Sequence, residues 1–282
     1  MSSTSQTTIA MTNASVPVVH EVTIMDELGR QKSTFIPGER SLTIYLDKRE
    51  VVTLMTLGAA PEALVLGYLR NQRLVESADD IESIQVDWDT DSAAVKTRRS
   101  SVDIDAITSK RVVTTGCGQG TMFGGLMEDM AQIRLPEGPK LHQAEIINLL
   151  EQIRSHETIY KKAGSVHACA VFERAGSDHV KLLHLIEDVG RHNAVDSISG
   201  LLWLAKRHGE DLIFFTTGRL TSEMVIKGAQ MGIPYLLTRS GVTQMGLELA
   251  KKTHLTLLSR CSGKHFEIYN APERVFFRHP RP

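Results

Sequence analysis

From residue 141 onward, short apolar runs of strand length alternate with stretches whose apolar residues recur at helical spacing, and this alternation constrains the fold more than any other feature of the chain. AEIINLLEQIR carries one apolar helical face, and VHACAVFE and KLLHLIED form a hairpin across Ala175-Gly176-Ser177-Asp178. A helix is predicted from about Asn193 to Arg207. It is followed by strand DLIFFTT, helix SEMVIKGAQM, strand IPYLLT, helix TQMGLELAKK and strand LTLLSR, with FEIY closing the series. A strand cannot follow its predecessor in parallel without a crossover, and a helix is the usual one. The pattern therefore predicts a three-layer α/β domain over 141–282, with a mostly parallel sheet made mixed by the hairpin.

Upstream the rhythm differs. Residues 19–112 read mostly as strands and predict a small strand-rich α+β domain. VVHEVTIM precedes SLTIYLD, a turn at Lys48-Arg49 and EVVTLMTL, and IESIQVDWD and SAAVKTR follow. Pro61 opens one helix through EALVLGYLRNQ. Residues 1–18, MSSTSQTTIAMTNASVPV, are Ser/Thr-rich without the basic start and apolar run of a signal peptide, so they are expected to be a disordered tail. Between the domains, residues 113–140 hold six glycines (116, 118, 120, 124, 125 and 138) and two prolines (136 and 139), and are expected to be a mobile loop and linker.

A chain of 282 residues accommodates these two domains. Its net charge of −1 exerts no global pull on nucleic acid or anionic membrane, so any anion site must be local. The longest apolar stretches, such as Ala63 to Leu66, are far short of a membrane span. Three well-separated cysteines build neither a disulfide framework nor a metal site, and point to a reducing cytoplasm.

Four predicted strands run into polar loops that contain arginine. LLHLIED leads to Val189-Gly190-Arg191-His192-Asn193, LIFFTT to Gly218-Arg219, YLLT to Arg239-Ser240-Gly241, and LTLLS to Arg260-Cys261-Ser262-Gly263-Lys264-His265. Open α/β sheets bind ligands beyond the carboxyl ends of their strands, where helix N-termini offer free N–H groups and arginine offers a planar fork to phosphate. One such loop is ordinary surface; four together predict a nucleotide-like or polyphosphate ligand. Neither a Walker loop nor a G-x-G-x-x-G fingerprint occurs here. Asp188 and His192 are either an acid/base pair or, more commonly for such residues, a helix cap and a loop anchor.

Cys117 lies in TTGCGQGT, where flanking glycines remove steric cover. It is either a reactive thiol or an inert cysteine at a turn. Cys169, inside an apolar run, is expected in the core. Cys261 is either a second reactive thiol or, preferably, a ligand or packing contact.

These residues also carry a resemblance. EDVGRHNAVDSISG and TTGRLTSEMVIKGAQMGIPYLLTRSGVTQMGLELA, with TTGCGQG, VHACAVF and LTIYLDKREVVTLMTLGAAPEALVLGYL, closely resemble the FdhD family of sulfur carrier proteins required for formate dehydrogenase activity. The similarity runs from about residue 20 to 275. It implies a sulfurtransferase-like carrier rather than a metabolic enzyme. Such a carrier takes a persulfide from a cysteine desulfurase on Cys117 and passes the sulfur to the molybdenum (or tungsten) bis-molybdopterin guanine dinucleotide cofactor destined for the formate dehydrogenase catalytic subunit. It implies that the Arg260–His265 loop holds the guanine dinucleotide, with GDP-like nucleotides fitting the same site. Arg191, His192, Asn193, Arg219 and Arg239 are the further expected contacts. It also implies a larger domain resembling cytidine deaminases, and a cytoplasmic homodimer without membrane or nucleic-acid partners. One departure is evident: the second cysteine of the family's C-x-x-C pair is replaced by Gly120, so no disulfide forms within that loop. Either Cys117 suffices alone or transfer is weakened; the first is favoured, because a persulfide needs only one acceptor sulfur. The alternative is a cofactor-binding chaperone of formate dehydrogenase without sulfur transfer. A zinc deaminase is disfavoured, because Cys169 stands where the proton-shuttling Glu after His167 would be and no P-C-x-x-C pair exists.

Overall fold

The computed structural model describes residues 9–98, 133–135, 139–176 and 178–277. Cys117, Gly120 and most of the expected mobile loop lie outside the described residues.

The small domain is a five-stranded sheet in the order β1-β6-β7-β4-β5. Its strands are β1 (Ala10–Met11), β4 (Arg40–Leu46), β5 (Arg49–Thr56), β6 (Ile81–Asp87) and β7 (Ser92–Thr97). Alternation in SLTIYL buries Leu42, Ile44 and Leu46 on one face, as a half-covered strand requires. The β4–β5 hairpin turns at Asp47 and Lys48, one residue earlier than predicted, both with positive φ (47° and 73°). Residues 9–14 are not a free tail: Ile9 joins the core, Thr12 and the Ala14 amide donate to Glu62, and Trp88 donates to the Ala14 carbonyl. A second correction concerns β2 (Val19–Met25), which pairs antiparallel with the unpredicted β3 (Gln31–Pro37) as a separate, largely exposed ribbon. QKSTFIP has no apolar alternation because neither of its faces meets a core.

The large domain has a six-stranded mixed sheet in the order β10-β9-β11-β12-β13-β14. These strands span His167–Arg174 (β9), Val180–Asp188 (β10), Leu212–Thr216 (β11), Tyr235–Thr238 (β12), Thr256–Ser262 (β13) and His265–Asn270 (β14). One face, with Cys169, Val171, Phe214, Leu236 and Leu257, packs against α4 (Arg191–Leu204), α5 (Ser222–Gln230) and α6 (Gln244–Thr253). The other, with Ala170, Phe172, Phe215 and Leu258, packs against α2 (Gln143–Ser155). A short α3 (Ile159–Ala163), missed because no apolar face is buried, follows α2, and β8 (Leu141–His142) pairs with β15 (Val275–Phe276). Within the span expected to be a mobile linker, Leu135 is buried in this core and its amide donates to the Thr253 carbonyl at 3.2 Å.

The domains meet where α1 (Pro61–Asn71) crosses α4. A methyl at Gly67 would stand 1.7 Å from the Asp196 carbonyl oxygen, and one at Gly200 2.0 Å from that of Ala63. Only two glycines allow backbones to approach this closely. Beside the crossing, buried Asp196 pairs with Lys227 at 2.7 Å and accepts from Asn71 at 2.7 Å.

Candidate functional site at the strand ends

β9 runs antiparallel to both β10 and β11, and β12 and β13 run parallel to β11. Hence β10, β11, β12 and β13 all end on one edge, and the four arginine loops share it. The antiparallel strands bring their first residues, His167 and His265, to the same edge.

Hydroxyls at the strand ends shape the loops. Thr216 Oγ1 accepts from the Gly218 amide at 3.1 Å and donates to the Ala168 carbonyl at 3.2 Å. Thr238 repeats the device one strand over, donating to the Gly218 carbonyl and accepting from the Ser240 amide. Gly218 lies close under the Arg191 side chain: a methyl on it would meet that side chain at 2.9–3.1 Å. Arg191 begins α4 and α5 follows the Arg219 loop; neither helix has a side-chain cap from its N-cap residue. Arg219 and Arg239 are exposed. Burial, then Arg191, Arg239 and Arg219, hold the His167 imidazole below its ordinary range. Three of the four arginines thus act electrostatically on one half-buried histidine. Arg260, in a left-handed conformation (φ 53°), stands one strand further on, with a guanidinium nitrogen 3.9 Å from where a Gly241 methyl would be.

On the α2 face of the same edge lies a pocket of about 250 Å³. Its lining includes Arg239, Tyr160, Lys161, Cys261, Ser262 and Gly263, with Leu150 and Phe215 among the apolar residues. The Arg239 guanidinium lies 5.2 Å from the centre of the Tyr160 ring. Glu187, also in the lining, accepts from the amides of Ile159 and Tyr160 and so fixes the start of α3. Lys264 and His265 stand exposed at the tip of the β13–β14 turn, outside the pocket lining.

Two expected ligand contacts face inward instead. Asn193 donates to the Met55 carbonyl and to Asp188, tying the loop to the small domain. His192 is 4% exposed, with Nε2 3.2 Å from Glu223; burial, with Lys227 and Arg191 nearby, pushes its imidazole down to about 2, so it is neutral. Asp188 is the loop anchor, accepting from Thr56 (2.5 Å), Asn193 (2.9 Å) and the amides of Leu57 and Gly190 (both 3.2 Å). Burial nonetheless holds its carboxyl above the usual carboxylate range.

The two described thiols are inert. Cys169 is fully buried and Cys261 is 1% exposed, and burial pushes each up to about 12. Cys261 is pocket wall, not nucleophile. His167, Glu187, Tyr160, Thr216 and Thr238 had escaped the site prediction. The threonine just before two of the four loops, in FFTTGR and YLLTRSG, was the available signal for Thr216 and Thr238.

Among the described residues, no helix is long and apolar enough to cross a membrane, and no three His, Cys, Asp or Glu side chains gather as a metal site. The geometry defines a class: a mixed-sheet α/β protein with a cationic strand-end edge. The chain belongs to the FdhD/NarQ family, whose model matches residues 37–276. Relatives named sulfur carrier protein FdhD include one from Wolinella succinogenes, 26% identical over 251 residues (89% of this chain, 85% of the relative). Another, from Staphylococcus aureus, is 28% identical over 241 residues (84% and 88%). A crystal structure from Desulfotalea psychrophila, described as that of a formate dehydrogenase accessory protein, superposes with a TM-score of 0.72 at 25% identity, covering 92% of this chain and all of that one.

Proposed function

We propose that this protein is a sulfur carrier for formate dehydrogenase, with Cys117 as the carrying thiol and the arginine edge as the seat of a guanine-dinucleotide cofactor. The observation that carries the reading is the state of the other two thiols. A carrier must present a thiolate to an incoming persulfide. Cys169 and Cys261 are buried and protonated, so of the three cysteines only Cys117 is left for that work.

The Cys117 thiolate attacks the outer sulfur of a cysteine desulfurase persulfide. The new S–S bond forms on Cys117 as the old one breaks, and the desulfurase leaves as a thiolate. Gly120 removes the neighbouring cysteine that could resolve this persulfide. Release of the outer sulfur as sulfide then takes two electrons from a pair of external thiols, which leave joined as a disulfide while Cys117 returns to the thiol. Arg191, Arg219 and Arg239 hold the diphosphate of the molybdenum (or tungsten) bis-molybdopterin guanine dinucleotide client. The pocket beneath Arg239 and Tyr160, walled by Cys261 and Gly263, takes a flat ring. The protein works in the cytoplasm as a homodimer, with desulfurase and formate dehydrogenase as successive partners.

Intact-protein mass spectrometry after incubation with a cysteine desulfurase and cysteine tests the carrier role. The expected result is a gain of one sulfur atom, lost in Cys117→Ala. An unmodified Cys117 in a protein that still binds guanine nucleotide would leave only cofactor holding.

A further inference from the structure

Nothing in the reading above uses His167, yet the sheet puts it at the middle of the arginine edge. Its register partner is Asp188, the last residue of β10. On the other side, the Ala168 amide donates to Thr217 Oγ1 and the Thr217 amide to the Ala168 carbonyl, both at 2.9 Å. His167 is therefore level with Gly218, over which the Arg191 side chain lies. The Arg239 amide donates to the Thr216 carbonyl at 3.0 Å, which brings the next loop alongside. Strand alternation puts His167 on the face of Cys169, whose thiol lies 3.9 Å from the Arg191 carbonyl at the start of α4.

We propose that His167 is a proton-accepting contact of the anion held by Arg191, Arg219 and Arg239, so that ligand and proton enter this edge together. The proposal rests on the reading that a diphosphate binds there. Among the described residues, the charged groups around His167 come from β10, two helices and two loops. From β10 comes Asp188, whose oxygens are committed to Thr56, Leu57, Gly190 and Asn193. From α4 come Arg191 and His192, the latter against Glu223 of α5 with Lys227 nearby. The loops after β11 and β12 supply Arg219 and Arg239. Burial first, and these cations after it, favour the neutral imidazole. A diphosphate offsets their charge and offers an oxygen acceptor, which favours the imidazolium. By linkage, affinity is independent of pH above the imidazole's ligated pKa. It then rises as pH falls toward the free pKa, by at most about tenfold per pH unit for one proton.

Isothermal titration of the full-length protein with diguanosine diphosphate, whose diester phosphates do not titrate between pH 5.5 and 8.5, tests this. Running it in buffers of different ionisation enthalpy counts the protons. The expected result is affinity rising at low pH with net uptake approaching one proton, and an affinity in His167→Gln that no longer changes with pH. A histidine imidazole resonance that moves downfield on ligand binding in the wild type, and is missing from His167→Gln, supports the assignment in the unaltered protein. Binding without proton uptake, or uptake that persists in His167→Gln, overturns the inference and leaves the diphosphate reading standing. No binding at any pH overturns both.

Discussion

Replacing Gly67 by alanine tests the contact on which the two-domain arrangement depends. The new methyl would lie 1.7 Å from the Asp196 carbonyl oxygen, 2.6 Å from its carbon and 2.7 Å from the Gly200 nitrogen, where ordinary contact begins at 3.4 Å. All three are backbone atoms, so no side-chain rotation relieves the clash. The helices must separate by about 1.7 Å, and that stretches the 2.7 Å Asn71–Asp196 hydrogen bond out of range. Overpacking costs about 1–3 kcal/mol. A buried carboxylate losing a donor costs about 1–3 kcal/mol more. The better helix propensity of alanine returns about 1 kcal/mol. The balance is a loss of about 3 kcal/mol, or about 1 M in urea midpoint. Gly200→Ala should behave alike, its methyl 2.0 Å from the Ala63 carbonyl oxygen. Because one separation relieves both clashes, the double variant should lose less than the two single losses added together. Urea unfolding followed by circular dichroism measures each. A Gly67→Ala protein as stable as the wild type would refute the close-crossing account.

Three further outcomes follow from the site. Native protein treated with a thiol reagent at pH 7.5 should leave Cys169 and Cys261 unmodified, since thiols near 12 are ionised in less than about one molecule in ten thousand; Cys117→Ala should take no label until denatured, and native labelling of it would contradict the buried-thiol assignment. Arg219→Ala or Arg239→Ala should weaken GDP binding by about 10- to 100-fold, the worth of a charge-assisted contact, and unchanged affinity in both would count against the strand-end site. His192 is held neutral when folded, at about 2 against an ordinary 6.5. Its folded pKa is the depressed one, so its contribution is present above 6.5 and lost as pH falls toward 2, at up to about 1.4 kcal/mol per pH unit. Unfolding between pH 7 and 5 should therefore show a shallower loss in His192→Gln than in wild type; equal slopes would refute the neutral assignment.

The large domain was readable because its elements follow local rules. The apolar runs of β9 and β10, the turn between them, and the β–α alternation after Asp211 are set by residues within a few positions of one another. Pro61 marked the start of α1 for the same reason. What escaped was decided at long range. β9 inserts between β10 and β11, and only that order brings His167 among the arginines. His192 and Asn193 looked like loop residues in sequence. They are buried because the small domain docks there, with Met55 and Thr56 reaching Asn193 and Asp188 across more than 130 positions. Gly67 and Gly200 lie more than 130 positions apart, and only the crossing of α1 over α4 shows that each is needed by the other. The exposed β2–β3 ribbon carries no core-facing pattern at all.

The central claim is that sulfur travels on Cys117 to a cofactor held at the arginine edge. The direct measurement is a single-turnover chase. The protein is loaded with isotopically labelled sulfur by a desulfurase, freed of it, and mixed with sulfur-depleted bis-guanine-dinucleotide cofactor and a thiol reductant. The account predicts that label leaves Cys117 and appears in the cofactor in equal amount, and that from Arg239→Ala, loaded to the same extent, the thiol releases the label as free sulfide that does not appear in the cofactor. Label that stays on Cys117 in the wild type, or reaches the cofactor as readily from Cys117→Ala, would contradict it.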